Sequence, residues 1–234
     1  MLVRIFTAYP EYFQNNLTVS LLKNAMETGV WSLEIVNLRD FGDGKHKKID
    51  DTTYGGGNGL VMRPDILESA ICAKIPNAQQ FLSLNPSENR LLCLTSPRGI
   101  QFSQKTASQI AKLDEINIIC NRFEAVDERI IDKYNIREIS IGNYVLLGGE
   151  VAVCVILEAS LRLLPKFLKN NETVDEESFS KALNGKLEYP QYTKPQIWNE
   201  ISVPSVLLDG NHQEIAKWRA ENTREPEEND DIYK

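Results

Sequence analysis

The sequence predicts an α/β protein with a mostly parallel sheet, followed by a smaller second domain. Short apolar runs, each long enough for one strand, alternate with amphipathic helical stretches over the first 165 residues. This alternation is typical of parallel strands joined by helices that cover the faces of the sheet. After Pro165 the chain turns polar and charged, and later prolines interrupt a helical pattern. We therefore predict a main domain over residues 1–165, a linker over 166–176 and a small helical domain over 177–234.

The elements of the main domain follow from the spacing of apolar residues, with Pro10 and Pro64 at first-turn positions of helices. The predicted strands are residues 3–7, 31–38, 91–95, 116–120 and 136–140. The predicted helices are residues 10–26, 64–73, 104–113, 127–134 and 145–164. Residues 39–59 carry charge and glycine but little apolar material, which predicts a long loop of functional interest. In the second domain, residues 178–220 are predicted to be helical, with interruptions at prolines.

Composition and charge exclude several classes of protein. The 234 residues carry a net charge of −7, which argues against a protein that coats nucleic acid nonspecifically, although a local basic surface is compatible with it. The longest apolar run, residues 151–157, is followed by Glu158 and Arg162, so no membrane span is expected. The first residues resemble a strand and a turn rather than a signal peptide. We therefore expect a cytoplasmic location.

The cysteines and histidines offer little material for a metal site or a nucleophile. None of the four cysteines forms a CxxC pair, and we expect buried free thiols. His46 and His212 are the only histidines and lie far apart in sequence. A structural zinc site and a Ser-His-Asp mechanism are therefore not expected.

Three segments follow predicted strands and carry glycine or small polar residues. They are TSPRG (residues 95–99), NRFEAVDER (121–129) and SIGNYVLLGG (140–149). Ligands of open parallel sheets bind at the carboxyl ends of the strands, so the three segments could surround one ligand. Taken singly, each is better explained as an ordinary turn between a strand and a helix, but that interpretation weakens when the three are taken together. The chain contains neither GxGxxG after the first strand nor a phosphate-binding GxxxxGK[ST], which leaves nucleotide sites of those kinds unsupported.

The stretch YGGGNG (residues 54–59) holds four glycines in six residues. Ordering so much glycine costs conformational entropy. One interpretation is a floppy surface loop. The other is a segment that must pass close to a ligand, a partner chain or another part of the backbone.

Together, eight stretches of the sequence resemble the bacterial tRNA (guanine-N1)-methyltransferases of the TrmD type, which belong to the SPOUT class. The resemblance covers nearly the whole chain. The stretches, in order, are RDF (39–41), DDTTYGGGNGL (51–60), SPRG (96–99), CNRFEAVDER (120–129), SIGNYVLLGGE (140–150), ESF (177–179), YPQYTKP (189–195) and LLDGNHQEIAKWR (207–219).

The resemblance implies a fold and a set of partners. The fold is an α/β domain with a deep trefoil knot near its C-terminal end, a feature that general topology rules exclude. The partners are tRNA and a second copy of the chain, in a homodimer with active sites at the subunit interface. The cofactor is S-adenosylmethionine, held by the knot, with its adenine between Leu94, Ile141 and Leu146. The implied cofactor residues are Leu94, Thr95, Ser96, Pro97, Asn121, Phe123, Glu124, Ser140, Ile141, Gly142, Asn143, Tyr144, Val145, Leu146, Gly148 and Gly149.

The resemblance also implies the chemistry, which is methyl transfer to N1 of guanosine 37, the nucleotide 3′ of the tRNA anticodon. Neutral guanine carries a proton on N1, so the reaction needs a base there and a cation near O6. Glu177 stands where the family has an aspartate base, and Arg162 matches the arginine at O6. Mg²⁺ is a further expected cofactor, with Glu124 as a candidate ligand, although nothing in the sequence requires a metal. The implied substrate contacts are Tyr54, Gly55, Asn58 and Ser178.

Simpler interpretations remain for several of these residues. Glu177 could be an acid favoured at a helix start, with Asp175 and Glu176 beside it as other carboxylates. Arg162 could pair with Glu158 one helical turn earlier, and Tyr54 could be a core residue. The other functions considered are a SPOUT enzyme acting on a different RNA position and a catalytically weak RNA-binding relative.

The sequence also departs from the family pattern. Asn121 and Ala125 replace glycines, Phe123 replaces a tyrosine, and the linker carries Lys166 and Lys169 in place of glycines. The tail EPEENDDIYK is acidic where relatives often have a basic one. The substitutions at residues 121, 123 and 125 should not prevent binding of a cofactor through the backbone. The changes in the linker and the tail are expected to affect the strength of tRNA binding.

Overall fold

The computed structural model describes residues 1–82, 89–168 and 177–226. It divides into two compact units, Met1–Lys169 and Asn170–Lys234. Most of the predicted linker, residues 169–176, lies outside the described residues, as does the end of the acidic tail, residues 227–234. In the described part of the chain, no helix combines the length and the apolar character that crossing a membrane requires.

The first unit is an α/β fold built on a five-stranded sheet. Its strands are β1 (Leu2–Thr7), β2 (Ser32–Asn37), β3 (Asp50–Thr52), β4 (Leu60–Met62), β5 (Arg90–Gln101), β6 (Glu115–Ile119), β7 (Ala125–Val126) and β8 (Arg137–Ser140). Its helices are α1 (Pro10–Asn16), α2 (Ser20–Glu27), α3 (Pro64–Lys74), α4 (Gln104–Ile110), α5 (Glu128–Lys133) and α6 (Glu150–Leu161). The main sheet has the order β2-β1-β6-β5-β8, and each neighbouring pair is parallel. The prediction of a mostly parallel α/β fold is therefore confirmed.

Apolar side chains pack on both faces of this sheet, which explains why its strands are rich in apolar residues at consecutive positions. One core cluster holds Phe6, Leu92 and Leu94 with α3 and α5, and the other holds Ile5, Ile118 and Trp31 with α6. Adjacent strand residues such as Ile5 and Phe6 enter opposite clusters because side chains alternate across a strand. A small second sheet, β3-β4-β7, lies beside the glycine-rich loop of residues 54–59.

Four local predictions need correction. Residues 95–99 were expected to form a loop, but β5 continues through them with an irregularity, because Thr95 and Ile100 both pair with Ile139 of β8. Helix α6 begins at Glu150 rather than at residue 145, since Gly148 and Gly149 are poor helix formers. The helix expected over residues 10–26 is two helices, and the loop expected over 39–59 contains a 3₁₀ turn and strand β3.

The expectation of buried thiols also holds only in part. Cys93 and Cys120 are buried, but Cys72 is exposed and Cys154 is half-buried. The side chain of Cys72 lies 3.4 Å from the hydroxyl of Tyr134.

The second unit is less helical than predicted. In the described residues 177–226 the one α-helix is α7 (His212–Glu221), and β9 (Ile197–Trp198) with β10 (Ile201–Ser202) forms a hairpin. The remaining described residues form turns, irregular segments and a short 3₁₀ helix (Ser205–Leu207). Pro190, Pro195 and Pro204 cannot donate the backbone hydrogen bonds of a helix interior, which disfavours a longer α-helix. Tyr189 and Tyr192 lie against Trp218 of α7.

Candidate active site

A cavity of about 480 Å³ lies where β6 and β8 end, beside the irregularity within β5. This volume is typical of small-molecule sites. The lining residues are Thr95, Ser96, Pro97, Asn121, Arg122, Phe123, Glu124, Ile139, Ser140, Ile141, Gly142, Tyr144, Val145, Leu146, Leu147, Gly148, Gly149 and Ala152. The three segments singled out in the sequence thus converge on one space.

One wall of the cavity, which we call the β5 wall, is formed by Thr95, Ser96 and Pro97 at the irregularity in β5. Because Thr95 and Ile100 share one partner on β8, the residues between them leave the regular ladder. Gly99 lies against the backbone of β8, where an added Cβ would be 2.3 Å from the carbonyl carbon of Glu138. Only glycine fits at this contact, which places Ser96 and Pro97 beside the cavity.

The loop after β6 is organised by Asn121. Its side chain donates to the carbonyl of Phe123 (3.0 Å) and accepts from the amide of Phe123 (3.1 Å). Its main-chain carbonyl accepts from the amide of Gly149 (2.8 Å). Asn121 therefore ties the β6 loop to the loop after β8.

The loop after β8 packs closely against its surroundings. The Ser140 hydroxyl donates to the carbonyl of Gly142 (3.1 Å), and the Tyr144 hydroxyl donates to the carbonyl of Ile141 (3.0 Å). A Cβ added to Gly149 would lie 2.1 Å from Oγ1 of Thr95. Glycine in this loop therefore allows main-chain groups to approach the cavity wall more closely than any other residue would.

An ion pair between a buried carboxylate and a partly exposed arginine lies behind this loop. Arg122 contacts Glu150, with Nη1 3.1 Å from Oε2, and Glu150 is only 2% exposed. The other carboxylate oxygen, Oε1, is buried without a hydrogen-bond partner among the described residues. A Cβ on Gly148 would meet both side chains, at 2.4 Å from Glu150 and 2.5 Å from Arg122. The pair therefore supports the loop directly.

Replacing Arg122 by methionine is expected to lower the free energy of unfolding by about 2 kcal/mol, because Glu150 would stay buried without its cation. Urea denaturation followed by circular dichroism measures the change. The matched control is Arg98→Met, since Arg98 and Glu128 form a pair whose side chains are 66% and 51% exposed. We expect no measurable loss for the control. Equal losses for the two variants would contradict a special role for the buried pair.

Cysteine chemistry at this site is disfavoured. Cys120 precedes Asn121 and is buried, and this burial, followed by the charge of Glu150, raises the pKa of its thiol well above the usual range. The thiol is therefore protonated at neutral pH and a poor nucleophile. The cavity offers main-chain groups, hydroxyls and apolar side chains rather than a nucleophile.

Two of the predicted cofactor residues are absent from the lining. Leu94 is buried in the core, because it alternates with Thr95 along β5 and enters the opposite face. Its side chain therefore does not line this cavity, and its contact with the adenine stays a prediction, whereas Ile141 and Leu146 do line the cavity. Asn143 lies exposed at the turn of the β8 loop.

The lining also contains residues that the sequence did not single out, namely Arg122, Ile139, Leu147 and Ala152. Arg122 stands between Asn121 and Phe123, which were both selected, so its position in the same loop could have predicted that it lines the cavity.

The predicted catalytic and substrate residues lie outside the lining. Arg162 follows the last residue of α6. Glu177 belongs to the second unit, in a turn where its carbonyl accepts from the amide of Ser180 (3.0 Å), so it does not begin an α-helix. Ser178 exchanges hydrogen bonds with Glu188 at 3.0 and 3.3 Å.

The glycine-rich loop is exposed. Tyr54 is 96% exposed, so it is not a core residue, and Gly55 and Asn58 are exposed beside it. The loop returns against the cavity, since Gly59 packs on Glu124 and the amide of Glu124 donates to the carbonyl of Leu60 (3.0 Å). Among the described residues, no group of three or more His, Cys, Asp or Glu side chains is placed to hold a metal.

Comparison with known proteins identifies the family. A family model described as tRNA (Guanine-1)-methyltransferase TrmD matches residues 1–231. Curated proteins named tRNA (guanine-N(1)-)-methyltransferase are similar in sequence. Those of Wolbachia pipientis and Rickettsia africae are each 45% identical over 94% of this chain and 91% of their own length. That of Ehrlichia canis is 41% identical over 98% of this chain and 96% of its own length. The cavity at the strand ends is thus the candidate active site of a chain that belongs to the TrmD family of tRNA (guanine-1)-methyltransferases.

Proposed function

We propose that this protein is an S-adenosylmethionine-dependent methyltransferase that modifies N1 of guanosine 37, the nucleotide 3′ of the anticodon in tRNA. The observation that carries the proposal is one cavity on which the irregular part of β5 and the loops after β6 and β8 converge. Membership of the TrmD family supports the reaction and the substrate class.

The cavity suits an adenosine-containing methyl donor. Ile141, Val145 and Leu146 supply apolar surface for a flat base, and the adjoining main chain supplies donors and acceptors. Gly148 and Gly149 keep this main chain within reach, since a side chain at either position would overlap its neighbours. When bound, S-adenosylmethionine supplies a methyl group on a positively charged sulfur. Mg²⁺, with Glu124 as a ligand, stays a prediction.

The acid–base chemistry is assigned to Glu177 and Arg162. Glu177 takes the proton from N1 of guanine, which frees the N1 lone pair to attack the methyl carbon. Arg162 stabilises the negative charge that builds up on O6 as the proton leaves. The glycine-rich loop, through Tyr54, Gly55 and Asn58, and the turn at Ser178 are assigned to contacts with the tRNA.

A homodimer with its active sites at the subunit interface is part of the proposal, as are a trefoil knot in residues 1–165, a tRNA-binding role for residues 177–234 and a cytoplasmic location. Support for the dimer comes from apolar side chains left exposed on the β8 loop and α6. Leu147 is 91% exposed, and Val151 and Val155 are exposed on the following helix. An apolar surface of this kind is typical of a protein interface.

Replacing Val155 by glutamate is expected to convert the dimer into monomers and to abolish methylation, because a charge would be buried in the interface. Sedimentation velocity measures the association. The matched control is Leu21→Glu on α2, where the native side chain is exposed to a similar degree, and this variant should stay dimeric. A wild-type monomer that methylates tRNA would contradict the shared active site.

The reaction itself is tested by incubating the protein with total tRNA and a labelled methyl donor, followed by mapping of the modified base. We expect label at N1 of guanosine 37. Label at another base would indicate a SPOUT enzyme with a different target. Binding of tRNA without any label would indicate a catalytically inactive RNA-binding relative.

A further inference from the structure

The cavity occupies only half of the carboxyl edge of the main sheet. In the strand order β2-β1-β6-β5-β8, it lies at the ends of β6 and β8 and beside the irregularity within β5. The ends of β2 and β1 carry Arg39 and Tyr9, and β6 contributes Arg122 to both halves. Ligands of parallel sheets bind along this edge, so the second half is a candidate binding surface.

The side chains of this second half form a compact group. The Cζ atom of Arg122 lies 4.9 Å from the centre of the Tyr9 ring, and the Cζ atom of Arg39 lies 5.9 Å from it. Two guanidinium groups thus contact one aromatic ring. We call these three residues the arginine–tyrosine site.

The backbone at two of these positions is fixed by a polar side chain at the strand end, and the third side chain is held by an ion pair. The Thr7 hydroxyl accepts from the amide of Tyr9 (3.0 Å), and the Asn37 side chain accepts from the amide of Arg39 (3.1 Å). Arg122 is fixed through its buried partner Glu150. The site is therefore preorganised, which reduces the entropy lost when a ligand binds.

The site carries a net positive charge, and the guanidinium N–H donors of Arg39 are available to a ligand. Arg122 is neutralised by Glu150, whereas the guanidinium of Arg39 pairs with no carboxylate in the described part of the chain, its recorded contact being the Tyr9 ring. A guanidinium that contacts a ring through its face keeps its N–H donors in the plane, where they suit an oxyanion such as phosphate.

We propose that the arginine–tyrosine site binds a backbone phosphate of the RNA substrate, close to the nucleotide that accepts the methyl group. The inference rests on the proposed function for the identity of the RNA. Phosphate is favoured over the carboxylate of the methyl donor because Arg39 lies outside the cavity lining. A phosphate held here would fix the RNA strand beside the cavity without reading its sequence.

The test compares Arg39→Gln with Arg137→Gln, a control that removes the same charge from the opposite end of the sheet, at the start of β8. Binding of an unmodified tRNA transcript is measured over a range of salt concentrations, without methyl donor, so that the result is independent of turnover. We expect Arg39→Gln to weaken binding about tenfold and to reduce the slope of log affinity against log salt by about 1. Arg39→Lys should retain most of the slope because the charge is kept. Affinity for S-adenosylmethionine should not change.

The outcomes separate this inference from the proposed function. Equal salt slopes for Arg39→Gln and Arg137→Gln would overturn it, even if the wild type methylates guanosine 37. A loss of donor affinity with unchanged tRNA binding would also overturn it, since the anion would then be the donor's carboxylate. If Arg39→Gln weakens tRNA binding as expected but the wild type fails to methylate tRNA, the phosphate site is supported and the proposed reaction is refuted. Melting curves of each variant confirm that it is folded.

Discussion

Replacing Glu177 by glutamine is expected to slow methyl transfer by about 10²–10⁴-fold, the range that a general base contributes. The amide has nearly the same shape as the carboxylate but cannot accept the N1 proton. The cofactor should still bind with its wild-type affinity, because Glu177 lies in the second unit and the cavity lining lies in the first. Single-turnover methylation and calorimetric titration of the cofactor measure the two quantities.

Two further variants make this prediction specific to Glu177. Glu177→Asp should keep much of the rate, since aspartate retains the carboxylate that accepts the proton and is shorter by only one methylene. Glu176→Gln changes the neighbouring carboxylate and should leave the rate intact. If Glu176→Gln abolishes turnover and Glu177→Gln does not, the base has been assigned to the wrong residue.

Replacing Gly99 by alanine is expected to weaken cofactor binding by at least tenfold. The new Cβ would lie 2.3 Å from backbone atoms of Glu138 and Ile139, and backbone cannot move aside as a flexible side chain can. β5 and β8 would have to separate at the irregularity, which moves Ser96 and Pro97 away from Ser140. A shift of about 1.4 kcal/mol in binding free energy already corresponds to tenfold.

The control for Gly99 is Gly185→Ala in the second unit. Gly185 has φ +81° and no atom within 4 Å of an added Cβ, so alanine there strains the backbone without reaching the cavity. It should lower stability slightly and leave cofactor affinity unchanged. Wild-type affinity in a folded Gly99→Ala variant would mean that the β5 wall does not contact the cofactor.

The sequence predicted the central sheet well because its strands are buried on both faces. Runs such as residues 3–7 and 116–120 are mostly apolar, with Arg4, Thr7 and Asn117 as their polar members, and that pattern depends little on distant contacts. The convergence of the three strand-end segments was also predictable, since parallel strands present their carboxyl ends at one edge.

The errors lie where long-range contacts override local preference. Residues 95–99 read as a turn because of Pro97 and Gly99, but pairing with β8 on both sides keeps them in one strand. The apolar residues 145–147 read as the start of a helix, yet the amide of Gly149 is held by Asn121 and the helix begins only at Glu150. The burial of the Leu94 side chain on the other face of β5 was not predictable either, because a sequence does not state which face of a strand lies towards a cavity.

Arg122 and Glu150 mark a different limit of sequence analysis. Their contact joins residues 28 positions apart, and neither position carries a local pattern that indicates an ion pair. The arginine–tyrosine site was even less predictable from the sequence. Its residues, Tyr9, Arg39 and Arg122, come together only through the strand order β2-β1-β6. The motif RDF contributed to the resemblance, but its place in the sheet was needed before a role could be inferred.

The most direct test of the whole account is a crystal structure of the protein soaked with S-adenosylmethionine. The account predicts the donor in the cavity, with its adenine between the β6 loop and the Ile141–Leu146 segment and hydrogen bonds to the main chain of the β8 loop. Donor found at any other place on the protein, or a cavity whose three loops lie apart when it binds, would contradict the central claim.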